Sequence, residues 1–409
     1  MAALTRYQRL LTLNLFALTF VLGTSEFVIV GLLAEISTDL NIAISTAGAV
    51  VSAFALAFAI GTPILTALFS RFSKFPLMLT LLGIFIIGNI FTALSTTYAL
   101  LFISRLITAI VTGILIALAM AVASESVPAD KRGTVIAIIF TGFTVASVVG
   151  VPLGTYIGQW GGWHLTFWFT SGLGIVSMLA SSVTIPKGLK GTRSSLRKQI
   201  GFLANPRVII AFLIPALSIG ATYTVYTYLS PFLQQVLAVP EQYIGLAFLL
   251  YGIVTVFSTL IGGKLAASNR IAKLRYVFLI QAVILASLYA TSQSLIAGLI
   301  SISFIGLAMY TMTSTIQLYF IDLANQQFPS AKDFASSLAP VSVNVGIAIG
   351  SALGGFVSTN MKLIDVSWVG GIVAIAASLL AFISYSLDHK ALSMRAKSLP
   401  VQGHCDSKC

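Results

Sequence analysis

Apolar stretches of roughly 20 residues or more follow one another along the chain, each long enough to cross a ~30 Å hydrocarbon core. Twelve can be marked off between Leu10 and Leu387, over 10–33, 45–69, 75–94, 98–126, 134–159, 163–185, 207–231, 241–266, 272–291, 294–323, 333–359 and 364–387. Six lie on each side of one long polar stretch, Pro186 to Pro206, which carries Lys187, Lys190, Arg193, Arg197 and Lys198. The pattern predicts an all-α membrane protein of twelve transmembrane helices in two six-helix bundles. Residues 1–185 form the first bundle, 186–206 a basic linker, 207–387 the second bundle and 388–409 a tail.

Charge orients the prediction. Lys and Arg occupy alternate connections: Arg6 and Arg9; Arg71 and Lys74; Lys131 and Arg132; Lys187 through Arg207; Lys264 through Arg275; Lys332; and Lys390 through Lys408. The intervening connections hold none except Lys362, and the one remaining cation, Arg105, falls inside a span. Positive charge favours the cytoplasmic side, so linker, tail and both termini are expected there. Trp160, Trp163, Trp168 and Trp368 all fall at the opposite ends of spans, where interfacial anchors belong.

Composition narrows the function. With 57% hydrophobic and 8% charged residues the chain needs lipid as solvent, and its +12 net charge is loop bias rather than a nucleic-acid footprint. The first apolar run is too long for a signal peptide and no small-residue cleavage site follows it, so it reads as a retained first span. Cys405 and Cys409 both lie in the tail, where no structural disulfide is expected, and with His404 they read as part of an unstructured terminus rather than a metal site. No phosphate-cradling loop, metal-spaced His or Glu pair or nucleophile motif appears in the short loops. The expectation is a protein that is not an enzyme, needs no cofactor or metal, and draws on an ion gradient rather than ATP.

The halves look like copies. Small residues recur every fourth position in the fifth span, at Gly142, Ala146, Gly150, Gly154 and Gly158, and in the eleventh, at Ser342, Gly346, Gly350, Gly354 and Ser358. Such stripes let helices approach closely, and at matched positions they favour a repeat about an axis along the membrane normal, an arrangement used for alternating access.

Several motifs now resemble the major facilitator superfamily, and within it the bacterial drug and sugar efflux branch. They are Thr24-Ser25-Glu26-Phe27-Val28-Ile29-Val30-Gly31-Leu32-Leu33, Arg105-Leu106, the antiporter-like Gly150-Val151-Pro152-Leu153-Gly154, Gly162-Trp163, Tyr226-Thr227-Tyr228-Leu229-Ser230-Pro231 and Asn344-Val345-Gly346-Ile347-Ala348-Ile349-Gly350. The resemblance implies the major facilitator fold, with Gly150, Pro152, Gly154, Gly346 and Gly350 as conformational positions. Two departures stand out. Leu68 to Lys74 lacks the acidic residue usual after the second span, and His164 follows Gly162-Trp163 where relatives commonly carry Arg.

Charge at bilayer depth is costly and persists mostly for a task. Glu26 and Arg105 each lie about seven residues from the same end of their spans, ~10 Å deep at 1.5 Å per residue. The resemblance places the first and fourth helices on a central cavity. Burial and a nearby guanidinium act in opposite senses on a carboxyl's proton. Glu26 is accordingly expected as a proton-coupling site tuned by Arg105, with a static ion pair that fixes helix packing as the other reading. Glu125, Asp130, Asp322 and Asp333 sit near span ends, where they are expected to cap helices, meet Lys131, Arg132 or Lys332, or face solvent, with a gating role as the other reading for Glu125 and Asp322.

The same resemblance has the first, fourth, seventh and tenth spans line the substrate cavity. Tyr223, Tyr226 and Tyr228 precede Pro231, and tyrosine offers a flat apolar face with a hydroxyl. Tyr223, Tyr226, Asn14, Tyr310, Gln317 and Asn344 are the candidate substrate contacts, with interhelical hydrogen bonding open for each. A proton-coupled exporter of sugars or related metabolites is the leading expectation, beside a multidrug or chloramphenicol-type exporter and an uncoupled facilitator or membrane sensor. Its partners are a small-molecule substrate, protons and the lipid bilayer, without nucleic acid, and a monomer suffices.

Overall fold

The computed structural model describes residues 4–128, 130–191, 205–265, 270–327 and 332–398. Every regular element among them is helical. The first half runs α1 (Arg6–Gly31), α2 (Leu33–Asp39), α3 (Ile44–Phe69), α4 (Lys74–Ala93), α5 (Tyr98–Ser126), α6 (Arg132–Val145), α7 (Val151–Gly161) and α8 (Trp163–Thr184). The second runs α9 (Pro206–Tyr226), α10 (Leu229–Gln235), α11 (Ile244–Leu265), α12 (Arg270–Thr291), α13 (Leu295–Met309), α14 (Thr313–Gln327), α15 (Lys332–Asn360) and α16 (Val366–Ser398). The middle of the predicted linker, and His404, Cys405 and Cys409, lie outside the described residues.

Eleven helical stretches among the described residues are long and apolar enough to cross a membrane. The predicted tenth is broken between α13 and α14, where the Tyr310 N–H donates to Ser258 Oγ at 2.9 Å rather than into its own helix. Thr311 and Thr313 return their hydroxyls to the Ala308 and Tyr310 carbonyls, each at 2.8 Å, so side chains meet part of the backbone that the break frees. The seventh breaks between α9 and α10, just ahead of Pro231, which has no N–H for the Thr227 carbonyl. In the fifth, Pro152 likewise withholds a donor, and the turn before it, Ala146–Gly150, widens to a π-helix that joins α6 to α7. α1 begins at Arg6, four residues earlier than the apolar run, because Thr5 and Gln8 form a capping box. α16 continues to Ser398, into the predicted tail.

The glycine stripes explain how each half is assembled. A Cβ at Gly150 would strike Thr24, and one at Gly154 would strike Val28, so the fifth span lies hard against α1. At Gly350 and Gly354 it would strike the carbonyls of Gly220 and Thr224, placing α15 as hard against α9. Thr24 and Val28 precede Gly220 and Thr224 by the same interval, so the two halves repeat one packing. Hydrogen bonds repeat too. Ser25 Oγ donates to Asn89 Oδ1 at 2.7 Å between α1 and α4, and Ser218 Oγ donates to Gln281 Oε1 at 2.9 Å between α9 and α12.

One end of the bundle carries Glu35, Asp39 and Glu241 and is called the acidic face; the other carries Lys74, Lys131 and Arg132 and is the basic face. Lys74 forms an ion pair with Glu125, so this acid meets the cation that begins α4 rather than Lys131 or Arg132. Among the described residues, the hydrogen bonds and close glycine approaches between halves run from mid-bundle to the acidic face. Ser52 Oγ donates to the Ala348 carbonyl at 2.7 Å, and Gln159 Nε2 to the Glu241 carbonyl at 2.6 Å. Gly252 packs on the Val148 backbone, and the Tyr228 hydroxyl sits where Gly48 lacks a side chain.

Three tryptophans are exposed as expected, Trp160 most of all at 82%, but Trp163 is buried at 1%. Its backbone N–H donates to Glu35 Oε1 at 2.6 Å and its indole N–H to Asp39 Oδ2 at 2.9 Å, clamping α2 onto the start of α8. A tryptophan whose N–H has a carboxylate partner inside the protein gains nothing from the interface. Trp163→Phe is expected to keep the packing and lose the second bond, lowering stability by ~1–3 kcal/mol in thermal denaturation of the detergent-solubilised protein.

Candidate functional site

Glu26 sits in α1, buried, on a narrow cavity lined by Phe27, Val30, Val51, Phe54, Tyr223 and Ile347. α1, α3, α9 and α15 supply these groups, so the cavity lies between the halves. Its free space is about 10 Å³, room for about one water. Glu26 Oε2 has no hydrogen-bond partner there. A buried acceptor left open costs ~1–3 kcal/mol or more if charged, a cost that persists when the group must bind something transiently.

Arg105 in α5 is 1% exposed. Its Nη2 donates to the Ser25 carbonyl at 2.6 Å and its Nη1 to Ser25 Oγ at 3.2 Å, while the guanidinium lies 4.6 Å from the Phe54 ring centre and 5.3 Å from that of Phe167. It therefore grips the residue beside Glu26 rather than the carboxylate. The two charges remain within electrostatic reach of each other. Ser25 passes the contact to Asn89, which also accepts from Thr170 at 3.4 Å, so α1, α4, α5 and α8 meet in one buried polar network. Ser25, Asn89, Phe54 and Phe167 were not among the sequence candidates. Asn89 had a readable signal, being the sole amide in an otherwise apolar span.

The second half brings a tyrosine cluster to the same place. Tyr226 stacks on Tyr251 with ring centres 4.9 Å apart and meets Tyr223 edge-on at 5.3 Å. Tyr251 hydrogen-bonds to Met309 Sδ at 3.2 Å. The hydroxyls of Tyr223 and Tyr310 lie within electrostatic reach of Glu26, and Tyr310 also meets Ser147 of the π turn, across the two halves. Asn344 is buried on α15 one turn from Ile347; its Nδ2 donates to the Pro340 carbonyl at 3.2 Å and its Oδ1 has no partner.

Two candidates stand elsewhere. Asn14 donates to Ser181 Oγ at 3.1 Å and Thr184 Oγ1 at 2.9 Å, joining α1 to α8 about 18 Å along the helix from Glu26. Gln317 is exposed on α14. Of the conformational positions, Gly150, Gly154, Gly346 and Gly350 all lie at helix contacts, and the Pro152 carbonyl faces Gly245 across the halves.

Two repeated helical halves around one buried, charge-bearing cavity define a multi-pass membrane transporter. A family model of the Major Facilitator Superfamily matches residues 15–328, and the chain belongs to that superfamily. It is 40% identical over 362 residues to the uncharacterised MFS-type transporter YtbD of Bacillus subtilis (strain 168), covering 88% of this chain and 91% of the relative. It is 32% identical over 366 residues to the inner membrane transport protein YdhP of Escherichia coli (strain K12), covering 89% and 93%. A chloramphenicol resistance protein of Streptomyces lividans is 28% identical over 369 residues, covering 88% and 92%. Among solved structures, a bacterial homologue of the human lysosomal transporter Spinster, in an inward-facing and occupied conformation, superposes with a TM-score of 0.77 at 16% identity over 94% of this chain and 98% of that one. The likeness confirms the fold.

Proposed function

We propose that this transporter exports a small amphipathic molecule in exchange for protons, and that Glu26 is the group both cargoes use. The observation that carries this reading is the unpartnered Glu26 Oε2 on a cavity between the halves. In the proposed orientation the acidic face is outside and the basic face cytoplasmic, with both termini inside. The described contacts between the halves then hold the outer side shut. Reversal of those contacts lets Glu26 load a proton from outside and, after the halves rock back, release it inside. Arg105, anchored on Ser25, keeps a fixed positive charge beside the carboxylate that is left, ready for outward-bound substrate. One proton moving through 100 mV releases ~2.3 kcal/mol, enough to sustain roughly a fifty-fold gradient of an uncharged substrate.

The lining bears on substrate class. Apart from Glu26 and the Tyr223 hydroxyl it is apolar, with Phe27, Phe54 and Tyr223 offering flat faces and the Tyr226–Tyr251 stack lying behind Tyr223. A sugar would bury several hydroxyls against few partners, at a cost of roughly 1–3 kcal/mol each. An aromatic amphiphile asks less of such a wall, and the relative named for chloramphenicol resistance supports that choice. Sugars or related metabolites remain the second class to be tried.

The test is proton movement in inverted vesicles, followed with a pH-sensitive dye as drugs, sugars and nucleosides are added in turn. Wild-type protein is expected to respond to an aromatic drug, and Glu26→Gln to show no substrate-induced signal. Substrate flux that persists in Glu26→Gln, with no proton signal in either protein, would replace antiport by facilitated passage.

A further inference from the structure

At the acidic face the halves enclose a cleft of about 350 Å³ whose walls include Glu35, Asp39, Trp163, His164, Gln234 and Glu241. Three carboxylates meet in it from both halves, two on α2 and one in the turn before α11, and no Lys or Arg lines it. Glu35 is at the centre. Its own helix brings Asp39, α8 brings the Trp163 N–H and His164, the Glu241–Tyr243 turn brings Glu241, and α10 brings the neutral Gln234. Gly158 of α7 packs beside its second oxygen. Asp39 accepts from the Trp163 indole, and His164 Nε2 lies 3.0 Å from the Ser95 carbonyl, so each has a partner other than Glu35.

We propose that Glu35 is a proton-operated latch: closing the acidic face binds a proton at Glu35, and opening returns it to the same side. This rests on the alternating-access cycle proposed above but not on Glu26 as its proton carrier. The geometry requires that closure carry Glu241 of one half toward Glu35 and Asp39 of the other, into a cleft already partly closed to water. Like charges brought together there favour uptake of a proton. Consistent with this, burial pushes the Glu35 carboxyl up from 4.5 to about 7; the Trp163 N–H opposes the rise, and Glu241 and Asp39 add to it.

The sign follows from linkage. A carboxyl that holds its proton more tightly in the closed state stabilises that state at low pH, and the stabilisation is lost as pH rises through about 7. If opening restores the ordinary carboxyl, the closed-to-open ratio falls about thirty-fold between pH 5.5 and 8.5, then stays level. The latch proton never crosses the membrane. It changes the external pH at which the cycle runs without changing the number of protons exchanged.

The experiment places spin labels at Thr96→Cys and Gln293→Cys, exposed positions on the acidic face of opposite halves, with Cys405 and Cys409 changed to serine. Distance distributions across the face are then recorded from pH 5.5 to 8.5 in lipid. The short-distance population should fall with pH in the parent protein and hold constant in Glu35→Gln, whose amide oxygen still accepts from Trp163. In Glu241→Gln the fall should level off at lower pH, because one of the two facing charges is gone. A parent protein whose distances ignore pH, or a Glu35→Gln protein that keeps the parent's slope, would overturn the latch. A slope lost in Glu26→Gln but kept in Glu35→Gln would overturn it as well and assign the proton to the central cavity. A slope intact in a protein that shows no substrate-coupled proton movement would defeat the antiport reading and leave the latch standing.

Discussion

Arg105→Met is expected to abolish proton-coupled flux while the protein still accumulates in the membrane, and Arg105→Lys to retain about a tenth of the wild-type rate. Methionine fills much of the same volume against Phe54 and Phe167 but supplies neither bond to Ser25. Among the described residues it also removes the cation within reach of Glu26, so the deprotonated carboxylate loses its compensation in a buried cavity. Lysine restores the charge as a point, not as a planar fork. It can reach the Ser25 carbonyl or hydroxyl but cannot hold both in fixed directions, and one charge-assisted hydrogen bond at ~1.5 kcal/mol accounts for about tenfold. Flux in reconstituted vesicles, normalised to protein amount, checks both. Equal loss in Arg105→Met and Arg105→Lys would mean that geometry at Ser25, rather than charge beside Glu26, is what transport requires.

The second large effect is expected at Gly350. A methyl group there would strike the Gly220 carbonyl, carbonyl carbon and Cα, all backbone, so neither α15 nor α9 can yield without the helices moving apart. Gly350→Ala is expected to cost ~1–3 kcal/mol and Gly350→Leu to prevent accumulation of folded protein. The matched position in the other half behaves differently. At Gly150 the obstacle is the Thr24 side chain, whose hydroxyl can rotate, so Gly150→Ala should be milder than Gly350→Ala. Gly83→Ala and Gly263→Ala face open space and should be neutral. Thermal stability of the four purified variants in detergent gives the order; a Gly350→Ala protein as stable as Gly263→Ala would show that the two helices are less tightly apposed than the structure has them.

Much of this architecture was legible in the sequence, because apolar run length and loop charge are set by lipid and not by the particular neighbours a helix acquires. The repeat was legible for a related reason: a glycine every fourth residue marks one face of a helix, and both stripes do lie on that face. The shared depth of Glu26 and Arg105 could be counted from span ends. Rotation about the helix axis could not. α1 is apolar nearly all round and almost wholly buried from Val21 to Gly31, so nothing in its composition says which neighbour Asn14 or Ser25 addresses. Asn14 turns to Ser181 and Thr184, and Ser25, a residue with no obvious claim, takes the arginine. The breaks at Tyr310 and in the turn before Pro152 were equally hidden, since they arise from hydrogen bonds with side chains far along the chain or from a missing donor whose effect falls several residues earlier. Trp163 looked like an anchor because its partners, Glu35 and Asp39, are more than a hundred residues away.

Tyr228 occupies in the second half the place that Leu32 holds in the first, each lying against its own stripe at Gly354 and Gly158. Leu32 ends there. Tyr228 continues: its hydroxyl donates to the Ser351 carbonyl at 3.1 Å and fills the notch at Gly48, inside the opposite half. A duplicated fold is thereby given unequal edges, one filled by a phenol set into the opposite half and the other, where α7 meets the start of α11, held by the hydrogen bond from Gln159 to the Glu241 carbonyl. Parting the acidic face has to draw the whole Tyr228 ring out of its notch on one edge but break a single hydrogen bond on the other, so the two edges of one duplicated fold resist separation unequally.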